Sequence, residues 1–192
     1  MILASGDAAG DEKWARLHAG LQEFGMQSGL FSNLDVKRLG KKETDPFQLQ
    51  LAIQGPPVNL MDVGYGVSQI LPIAVDCLTS EQGQMLLMQQ PEVHLHPRAQ
   101  AELGTFLAHL VRTRRNRFIV ETHSDYLVNR VRLDIRDKKW LKPEDVCLLY
   151  CERAGAGVKV QEIHIDDQGN LLDAPAGYHR FLLDEEKRFF EG

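Results

Sequence analysis

Residues 84–97 read Gln-Met-Leu-Leu-Met-Gln-Gln-Pro-Glu-Val-His-Leu-His-Pro and carry the strongest structural signal in the chain. Its apolar run, Met85 to Met88, has the length of a strand. Short bounded runs of this kind are typical of strands buried on both faces of a parallel sheet. Polar residues, a proline and two alternating histidines follow directly. Because open α/β folds bind ligands beyond the carboxyl ends of their strands, the stretch predicts a strand with a ligand site at its end.

The segments on either side alternate between helices and strands. Upstream, a glycine-containing turn leads into a helix for which Ser68 is the expected N-cap, and Pro72 lies in its first turns, where a missing N–H costs little. Downstream, residues 97–112 and 126–135 carry helical spacing, and the apolar run 118–120 between them predicts a short buried strand. This alternation indicates an α/β fold, with helices flanking a parallel or mixed sheet.

Further elements are predicted toward both ends of the chain. An amphipathic helix at 11–24 is closed by Gly25 and Gly29, and alternating apolar residues predict a hairpin of strands at 33–39 and 47–53. The other predicted elements are a flexible lead-in at 1–10, strands at 146–151 and 158–165, a turn at 166–169 and a tail helix at 178–190. The predicted divisions are a lead-in of helix and β-hairpin at 1–60, a central lobe at 61–152 and a C-terminal β/α extension at 153–192.

Composition and charge set limits on function. The 192 residues suffice for one domain with a sizeable core, and 43% of them are hydrophobic. Lys and Arg number 22 against 27 Asp and Glu, and the net charge of −5 argues against a wholly basic nucleic-acid-binding domain. The local basic run at 112–117 is either the solvated end of a helix or a contact for a DNA backbone.

The three cysteines, Cys77, Cys147 and Cys151, have no C-x-x-C spacing. Because Cys147 and Cys151 fall in a predicted strand and at its end, we expect buried reduced thiols and not a disulfide or a zinc site. No apolar run approaches the roughly 20 residues of a membrane span. The first residues also lack the basic flank and long apolar core of a secretion signal. We therefore expect a cytoplasmic protein without a membrane partner.

Three polar clusters follow one another along the chain: Gly64-x-Gly66-x-Ser68-Gln69, then residues 89–97, then Glu121-Thr-His-Ser124. Each is weak evidence by itself, since a Gly-x-Gly turn or a lone histidine occurs in many folds. In this order and at these spacings they resemble the signature loop, the Walker B strand with its D-loop, and the histidine switch of an ATP-binding-cassette (ABC) type ATPase of the SMC/RecF/OLD-like group. The resemblance covers roughly residues 45–185 and implies the C-terminal half of such a domain, a partial P-loop NTPase sheet.

The resemblance implies nucleotide contacts for the first and third clusters. A signature loop needs glycines for close backbone approach, and a hydroxyl with N–H groups at a helix N-terminus to hold phosphate oxygens. The implied nucleotide-binding residues are Gly64, Gly66, Ser68 and Gln69, which in this family act on the nucleotide held by the other subunit. His123 would sense the γ-phosphate of ATP. Asp125 would either orient that histidine or cap the next helix, and the cap is the favoured role.

The resemblance also assigns roles within the second cluster. The implied catalytic positions are Gln89, Gln90 and Glu92, together with His123, and Gln89 holds the position of the magnesium shell. The D-loop residues His94, His96 and Pro97 fall at the implied dimer interface, where the two histidines would pack and hydrogen-bond around the nucleotide or the partner.

Two departures from the family pattern bear on activity. The sequence contains no G-x-x-x-x-G-K-[ST], so the phosphate-cradling P-loop is missing, and we expect a fragment or one half of a split protein. The Walker B acids are replaced by Gln89 and Gln90, which are neutral and cannot take a proton, so magnesium affinity and hydrolysis should both suffer. Three explanations stay open: a weakened ATPase, Glu92 acting as the acid, or an engineered glutamine in place of a native Glu at 89.

A rival interpretation of the same stretch is a metal site. Glu92, His94 and His96 have two-residue spacing, which places them on one side of an extended segment. With His123 they could bind zinc or manganese and serve a metal-dependent hydrolase.

The favoured function is that of an ABC-type ATPase which, when complete, uses ATP and Mg²⁺. This chain alone is not expected to hydrolyse ATP. The resemblance implies that it dimerises around ATP, as a homodimer or with the missing P-loop half, and drives a DNA-related activity in repair or phage defence, with a nuclease or DNA as further partners. The alternative is a catalytically inactive, ATPase-like interaction module, which the two glutamines and the missing P-loop favour.

Overall fold

The computed structural model describes residues 8–40, 45–53, 55–175 and 177–178. The helices are α1 (Ala8–Ser28), α2 (Tyr65–Thr79), α3 (Pro97–Arg114) and α4 (Asp125–Arg136). The strands are β1 (Asn33–Arg38), β2 (Phe47–Ala52), β3 (Val58–Asn59), β4 (Met85–Gln89), β5 (Arg117–Glu121), β6 (Leu148–Ala154), β7 (Gly157–Ile165) and β8 (Leu171–Leu172), with single 3-10 turns at Leu60–Asp62 and Pro143–Asp145. The chain forms two compact units, Met1–Val131 and Arg132–Gly192, while the predicted divisions at 60 and 152 stay a prediction.

Helix α1 packs an apolar stripe into the core of the first unit. The buried residues of this stripe are Leu17, Leu21 and Phe24. The predicted stop at Gly25 is wrong, because the helix continues to Ser28. Gly25 instead allows close packing, since a Cβ there would lie 2.2 Å from the ring of Phe31. The helix ends before Gly29, whose φ of +74° is the left-handed conformation common after helix ends.

Strands β1 and β2 form the predicted antiparallel hairpin. Asn33 lies opposite Ala52, and Arg38 lies opposite Phe47. The strand β3 extends this sheet by pairing with β2, which was not predicted because two residues carry no periodic signal. Residues 41–44 of the predicted hairpin loop lie outside the described residues.

Strands β4 and β5 pair in parallel, as the alternation of helices and strands predicts, and Gln89 lies opposite Glu121. One face of the pair packs against the core through Leu86, Met88, Phe118 and Val120. On the other face Leu87 is 74% exposed and Ile119 is 56% exposed. The prediction of strands buried on both faces is therefore wrong for this chain. Burial of both faces requires packed secondary structure on each side of the sheet, and the described residues cover one side.

Helices α2 and α3 supply most of the remaining core of the first unit. Their buried hydrophobic residues are Val67, Ile70, Leu71, Ala74, Cys77, Ala99, Leu103, Leu107, Ala108 and Leu110. The N-cap of α2 is Gly64, so the prediction of Ser68 is wrong. Pro72 lies well inside this helix, which begins at Tyr65, and not in its first turns. Its missing N–H leaves the carbonyl of Ser68 without the usual helical donor.

The second unit contains an antiparallel sheet in the order β6-β7-β8. Leu148 lies opposite Ile163, which is buried. The predicted turn after β7 is present, and Asp166 accepts hydrogen bonds there from the side-chain amide and backbone N–H of Asn170 and from the N–H of Gln168. These bonds, first of all the one from the Asn170 side chain, hold the pKa of Asp166 below its ordinary value.

The three cysteines are free thiols, but the expectation that all are buried is wrong for two of them. Cys147 and Cys151 are exposed, because Cys147 precedes β6, which begins at Leu148, and Cys151 lies on the open face of that strand. Cys77 is buried in α2, and this burial raises the pKa of its thiol to about 12.

Parts of the predicted ends lie outside the described residues, namely 1–7 of the lead-in and 179–190 of the tail helix. Residues 8–10, predicted as a flexible lead-in, belong to α1. Within the described ranges, no helix combines the length and the apolar character needed to cross a membrane.

Candidate functional site

The carboxyl ends of β4 and β5 lie side by side and bring the second and third polar clusters together. Gln89 Nε2 donates to Glu121 Oε1 at 3.5 Å, and the backbone N–H of Gln90 donates to the carbonyl of Glu121 at 2.7 Å. Both side chains at the strand ends, Gln89 and Glu121, are exposed. The predicted position of the site, at the carboxyl edge of a parallel pair, thus carries one neutral amide and one carboxylate.

The loop that follows β4 departs from extended geometry. Gln90 and His94 have φ angles of +45° and +69°, a left-handed conformation that is uncommon for residues other than glycine. The loop is held by backbone bonds from Val93 N–H to the Gln90 carbonyl and from Leu95 N–H to the Glu92 carbonyl. Side chains two residues apart therefore do not share one side of this segment.

The two histidines of the loop make different contacts. The ring of His94 packs edge-on against Tyr65, with centroids 4.8 Å apart. His96 is the N-cap of α3: its Nδ1 accepts from the N–H of Ala99 at 3.4 Å, and Pro97 begins the helix, where its lack of an N–H is tolerated. These contacts are structural, and a D-loop role for the three residues stays a prediction.

Glu92 is buried, at 4% exposure, and ties the loop after β4 to the loop after β5. Its Oε1 accepts from Thr122 Oγ1 at 2.7 Å and from the backbone N–H of His123 at 3.1 Å. Its Oε2 is also buried and has no hydrogen-bond partner among the described residues. A carboxylate oxygen in that position costs free energy unless a further donor reaches it.

A chain of hydrogen bonds continues from Glu92 to α3. Thr122 Oγ1 accepts from the N–H of Ser124 at 3.0 Å, and Ser124 Oγ donates to Gln100 Oε1 at 2.6 Å. Gln100 Nε2 in turn donates to the carbonyl of Leu95 at 2.8 Å, back in the loop after β4. The two loops are thereby connected both directly and through the first turn of α3.

The start of α4 is capped by Ser124. Its Oγ accepts from the N–H of Leu127 at 3.1 Å, while Asp125 is the first residue of the helix. The favoured prediction that Asp125 provides the cap is therefore wrong. Its carboxylate instead lies in the first turn, where the helix dipole favours negative charge.

The signature-like turn before α2 packs against the loop after β4. A Cβ on Gly66 would lie 2.6 Å from the carbonyl oxygen of His94, so glycine is required there by a backbone contact within the protein. Gly64, by contrast, has open space around its Cβ position. The first and second polar clusters are therefore adjacent.

The polar side chains of this turn point in different directions. Ser68 Oγ donates to the carbonyl of Tyr65 at 2.9 Å, inside the first turn of α2. Gln69 Oε1 is buried and has no hydrogen-bond partner among the described residues. Neither observation tests the implied role of Ser68 and Gln69 toward a nucleotide.

The predicted zinc or manganese site is not formed. The described residues contain no group of three His, Cys, Asp or Glu side chains able to hold a metal ion. The reason is local: Glu92 faces the loop after β5, His94 packs on Tyr65, and His96 caps α3. In the described residues these three side chains are thus not arranged as the ligands that a metal-dependent hydrolase would need.

The basic run at 112–117 divides into two groups. The guanidinium of Arg114 is partly buried and donates to the carbonyls of Leu78, at 2.8 Å, and Ser80. The exposed members are Arg112, Arg115 and Arg117. Arg114 thus joins the end of α3 to the end of α2, and the run is in part structural.

Sequence reasoning missed Gln100, and it placed Glu121, Thr122 and Ser124 in the third polar cluster without giving them a role. The partners that Thr122, Ser124 and Gln100 find in the folded chain lie 24 to 30 positions away, so no local spacing reveals these bonds. Glu121 had a usable signal. Once two parallel strands are predicted, the last residue of one is expected beside the last residue of the other.

A protein-family model described as "AAA domain, putative AbiEii toxin, Type IV TA system" matches residues 22–129, more than half of the chain. A comparison with curated proteins found no match.

Several solved structures share the fold. A structure from work on ATP-driven dimerization and DNA-stimulated activation of SMC ATPases aligns with a TM-score of 0.59 at 9% identity, over 92% of this chain and 94% of that one. The Smc head domain of Pyrococcus furiosus with an extended coiled coil, bound to the C-terminal domain of ScpA, aligns at 0.58 and 8% identity, over 91% of this chain and 38% of that one. An SmcHead bound to the C-winged helix domain of ScpA aligns at 0.56 and 11% identity, over 78% and 43%.

At these identities the likeness shows the fold alone, and the chain spans only about two fifths of the last two structures. The fold class predicted from sequence is confirmed: the chain is α/β and resembles the ABC-type ATPase heads of SMC proteins.

Proposed function

Because the chain belongs to the AAA-domain family whose model it matches over residues 22–129, we propose that it is the C-terminal part of an ABC-type ATPase. In this proposal it binds ATP with Mg²⁺, dimerises around the nucleotide, and drives a DNA-related activity in repair or phage defence. One observation carries the proposal. Three loops, separated in sequence, meet at the carboxyl edge of the parallel strands β4 and β5.

The roles proposed for individual residues follow from their places in these loops. His123 is the sensor of the γ-phosphate, and its backbone is fixed by Glu92 at 3.1 Å. Gln89 lies at the position of the magnesium shell. The residues proposed to contact a nucleotide held by the other subunit are Gly64, Gly66, Ser68 and Gln69. The N-terminal turn of α2 supports this role, since free N–H groups at a helix start attract phosphate.

The oxygen-bearing side chains at the strand ends fit Mg²⁺, which prefers hard oxygen ligands and commonly uses one or two carboxylates together with phosphates and water. Gln89 and Glu121 offer one amide oxygen and one carboxylate. The buried Oε2 of Glu92, which lacks a donor among the described residues, also indicates that the site accepts a further group. When bound, the cation would neutralise charge on the transferred phosphoryl group.

The P-loop has to come from another segment, and the open side of β4–β5 is the place proposed for it. Met85, Leu87 and Ile119 form a continuous exposed apolar face, whereas parallel strands are normally covered on both sides. The sheet also has two strands in the described chain, so each outer edge can pair. A half that adds strands to these edges and a helix to this face would bring a P-loop to Gln89.

Dimerisation, DNA and a nuclease partner are proposals by analogy. The support is that one structural neighbour belongs to a study of ATP-driven dimerization and DNA-stimulated activation of SMC ATPases. The histidines of the loop after β4, together with Pro97, are the residues proposed for the subunit interface.

A second candidate function is an interaction module that keeps the ATPase fold without turnover. The specific observation in its favour is that Gln89 and Gln90 are neutral, so neither can accept a proton from water.

Turnover measurements separate the two candidates. In a chain extended by a P-loop-bearing half, Gln89→Glu is expected to raise ATP hydrolysis at least tenfold, and His123→Ala to lower it to background. His164→Ala, an exposed histidine in the second unit, serves as the matched control. If the Gln89→Glu protein hydrolyses ATP no faster than the His123→Ala protein, the enzyme proposal is wrong and the interaction module stands.

A further inference from the structure

The open question at this site is which acid compensates for the neutral Gln89. Two glutamates lie near it. Glu121 is paired with it across the parallel strands, 3.5 Å from its side chain, and Glu92 lies three residues further along the loop. The inference below rests on the proposed function, since it concerns the Mg²⁺ that an ATPase of this kind uses.

Glu92 is poorly suited to that task. It is 4% exposed, and its Oε1 is already engaged by Thr122 and by the backbone of His123. Turning it outward would break both bonds and release the N–H of His123 from its acceptor. Hydrogen bonds to a charged group are stronger than those between neutral groups, so this rearrangement is costly. Glu92 is therefore better placed to fix the backbone of His123 than to bind the cation.

Glu121 has the opposite properties. Its carboxylate is exposed at the end of β5, and the one contact it makes to the Gln89 amide, at 3.5 Å, is long for a hydrogen bond. It lies at the carboxyl edge of the sheet, on the same face as the exposed Ile119. In the parallel register it occupies the place directly beside the residue where the family pattern expects the acid.

The amide of Gln89 complements this carboxylate. In the structure its Nε2 faces Glu121, and a 180° rotation of the amide group would turn Oε1 toward the same space, where it could coordinate a cation together with the carboxylate. A neutral amide oxygen beside a single charged carboxylate is an acceptable part of a magnesium site that phosphates and water complete. Without Glu121, the strand ends would carry no negative charge.

We propose that Glu121 supplies the anionic oxygen for the cation at this site, in place of the missing Walker B acid at position 89, while the buried Glu92 positions the loop of His123. The site then consists of one carboxylate and one amide oxygen on neighbouring parallel strands. The buried Oε2 of Glu92 has no donor among the described residues, and a water molecule carried by a hydrated ion would supply one without disturbing the two bonds of Oε1.

The test is a Mg²⁺ titration of the chain itself, followed by backbone amide chemical shifts at constant ionic strength. In the wild-type chain, saturable shifts are expected at the ends of β4 and β5. Glu121→Gln should weaken the apparent affinity at least tenfold. Glu81→Gln is the matched control. Glu81 is an exposed carboxylate just before β4, at the amino-terminal end of the strand and away from the proposed site, so its substitution should leave the affinity for Mg²⁺ unchanged.

A second variant keeps the inference testable whatever the stability of the first. Gln89→Glu places a second carboxylate beside Glu121 and should tighten Mg²⁺ binding several-fold, while lowering stability in the absence of Mg²⁺. Wild-type shifts that are absent, or that persist unchanged in Glu121→Gln, would overturn the proposal. If Mg²⁺ binds at Glu121 but the extended chain does not turn over ATP, the enzyme proposal is wrong and the role of Glu121 stands. If ATP turnover survives Glu121→Gln, the role of Glu121 is wrong and the enzyme proposal stands.

Discussion

Removing the hydroxyl of Thr122 should destabilise the first unit far more than the loss of one methyl-sized polar group suggests. Thr122→Val removes the donor to Glu92 Oε1, at 2.7 Å, and the acceptor of the Ser124 N–H, at 3.0 Å. A bond to a buried charge contributes about 1.5–3 kcal/mol and a neutral bond about 0.5–1.5 kcal/mol. The expected loss in the free energy of unfolding is therefore about 2–4.5 kcal/mol.

Urea unfolding followed by Trp14 fluorescence measures this loss, because Trp14 lies on α1 and packs against the core of the first unit. A Trp140→Phe background removes the signal of the second unit. Thr113→Val is the control: that hydroxyl donates to the carbonyl of His109 on the exposed side of α3, and its removal should change stability by less than about 0.5 kcal/mol. Equal losses in the two variants would refute the argument that Thr122 stabilises a buried charge.

A double-mutant cycle then separates the charge from the hydroxyl. In a Glu92→Gln background the acceptor is neutral, so both bonds lost in Thr122→Val are neutral and the penalty should shrink by about 1–1.5 kcal/mol. A penalty that stays at its original size would show that the Glu92 charge has no part in it.

Two further experiments, a pair of glycine substitutions and a cysteine labelling, test packing at single positions. Gly66→Ala places a Cβ 2.6 Å from the backbone oxygen of His94 and should cost about 1–3 kcal/mol in urea unfolding, whereas Gly64→Ala, with open space around it, should cost less than about 1 kcal/mol. Iodoacetamide at pH 8 should label the exposed Cys151 in the folded chain, while Cys77, whose thiol pKa is raised by burial to about 12, should react only when the first unit unfolds. Peptide mass spectrometry with and without urea shows which cysteine is labelled first, and labelling of Cys77 in the absence of urea would contradict its burial.

The elements of the first unit were largely predictable because their signals are local. The apolar spacing of α1 and α3 and the run Met85 to Met88 depend on neighbours within one or two turns. The order helix, strand, helix, strand was enough to predict the parallel pairing of β4 and β5. Exposure of Leu87 was not predictable, because an apolar run looks the same whether or not a second layer covers it.

The predictions of the helix caps and of the metal site were wrong for physical reasons as well. Ser68 and Asp125 are good capping residues by type, yet Gly64 and Ser124 occupy the N-cap positions one to four residues earlier. Several such residues in a row leave the register of a helix start open. The predicted metal site assumed an extended segment, and the left-handed backbone at Gln90 and His94 removes the two-residue period on which that prediction depended.

The two glutamates at the edge of the sheet have separate tasks because their surroundings differ, although both are carboxylates of the same intrinsic chemistry. Glu92 is buried, and its charge is satisfied by a hydroxyl and a backbone N–H, so moving it costs the hydrogen bonds that fix His123. Glu121 is exposed and makes one long contact, so it can change partner at little cost. A site that must hold a sensor loop still while exchanging a hydrated cation needs one group of each kind. The neutral Gln89 leaves Glu121 as the exposed charge at the described strand ends, so binding of a cation there would depend on that one residue.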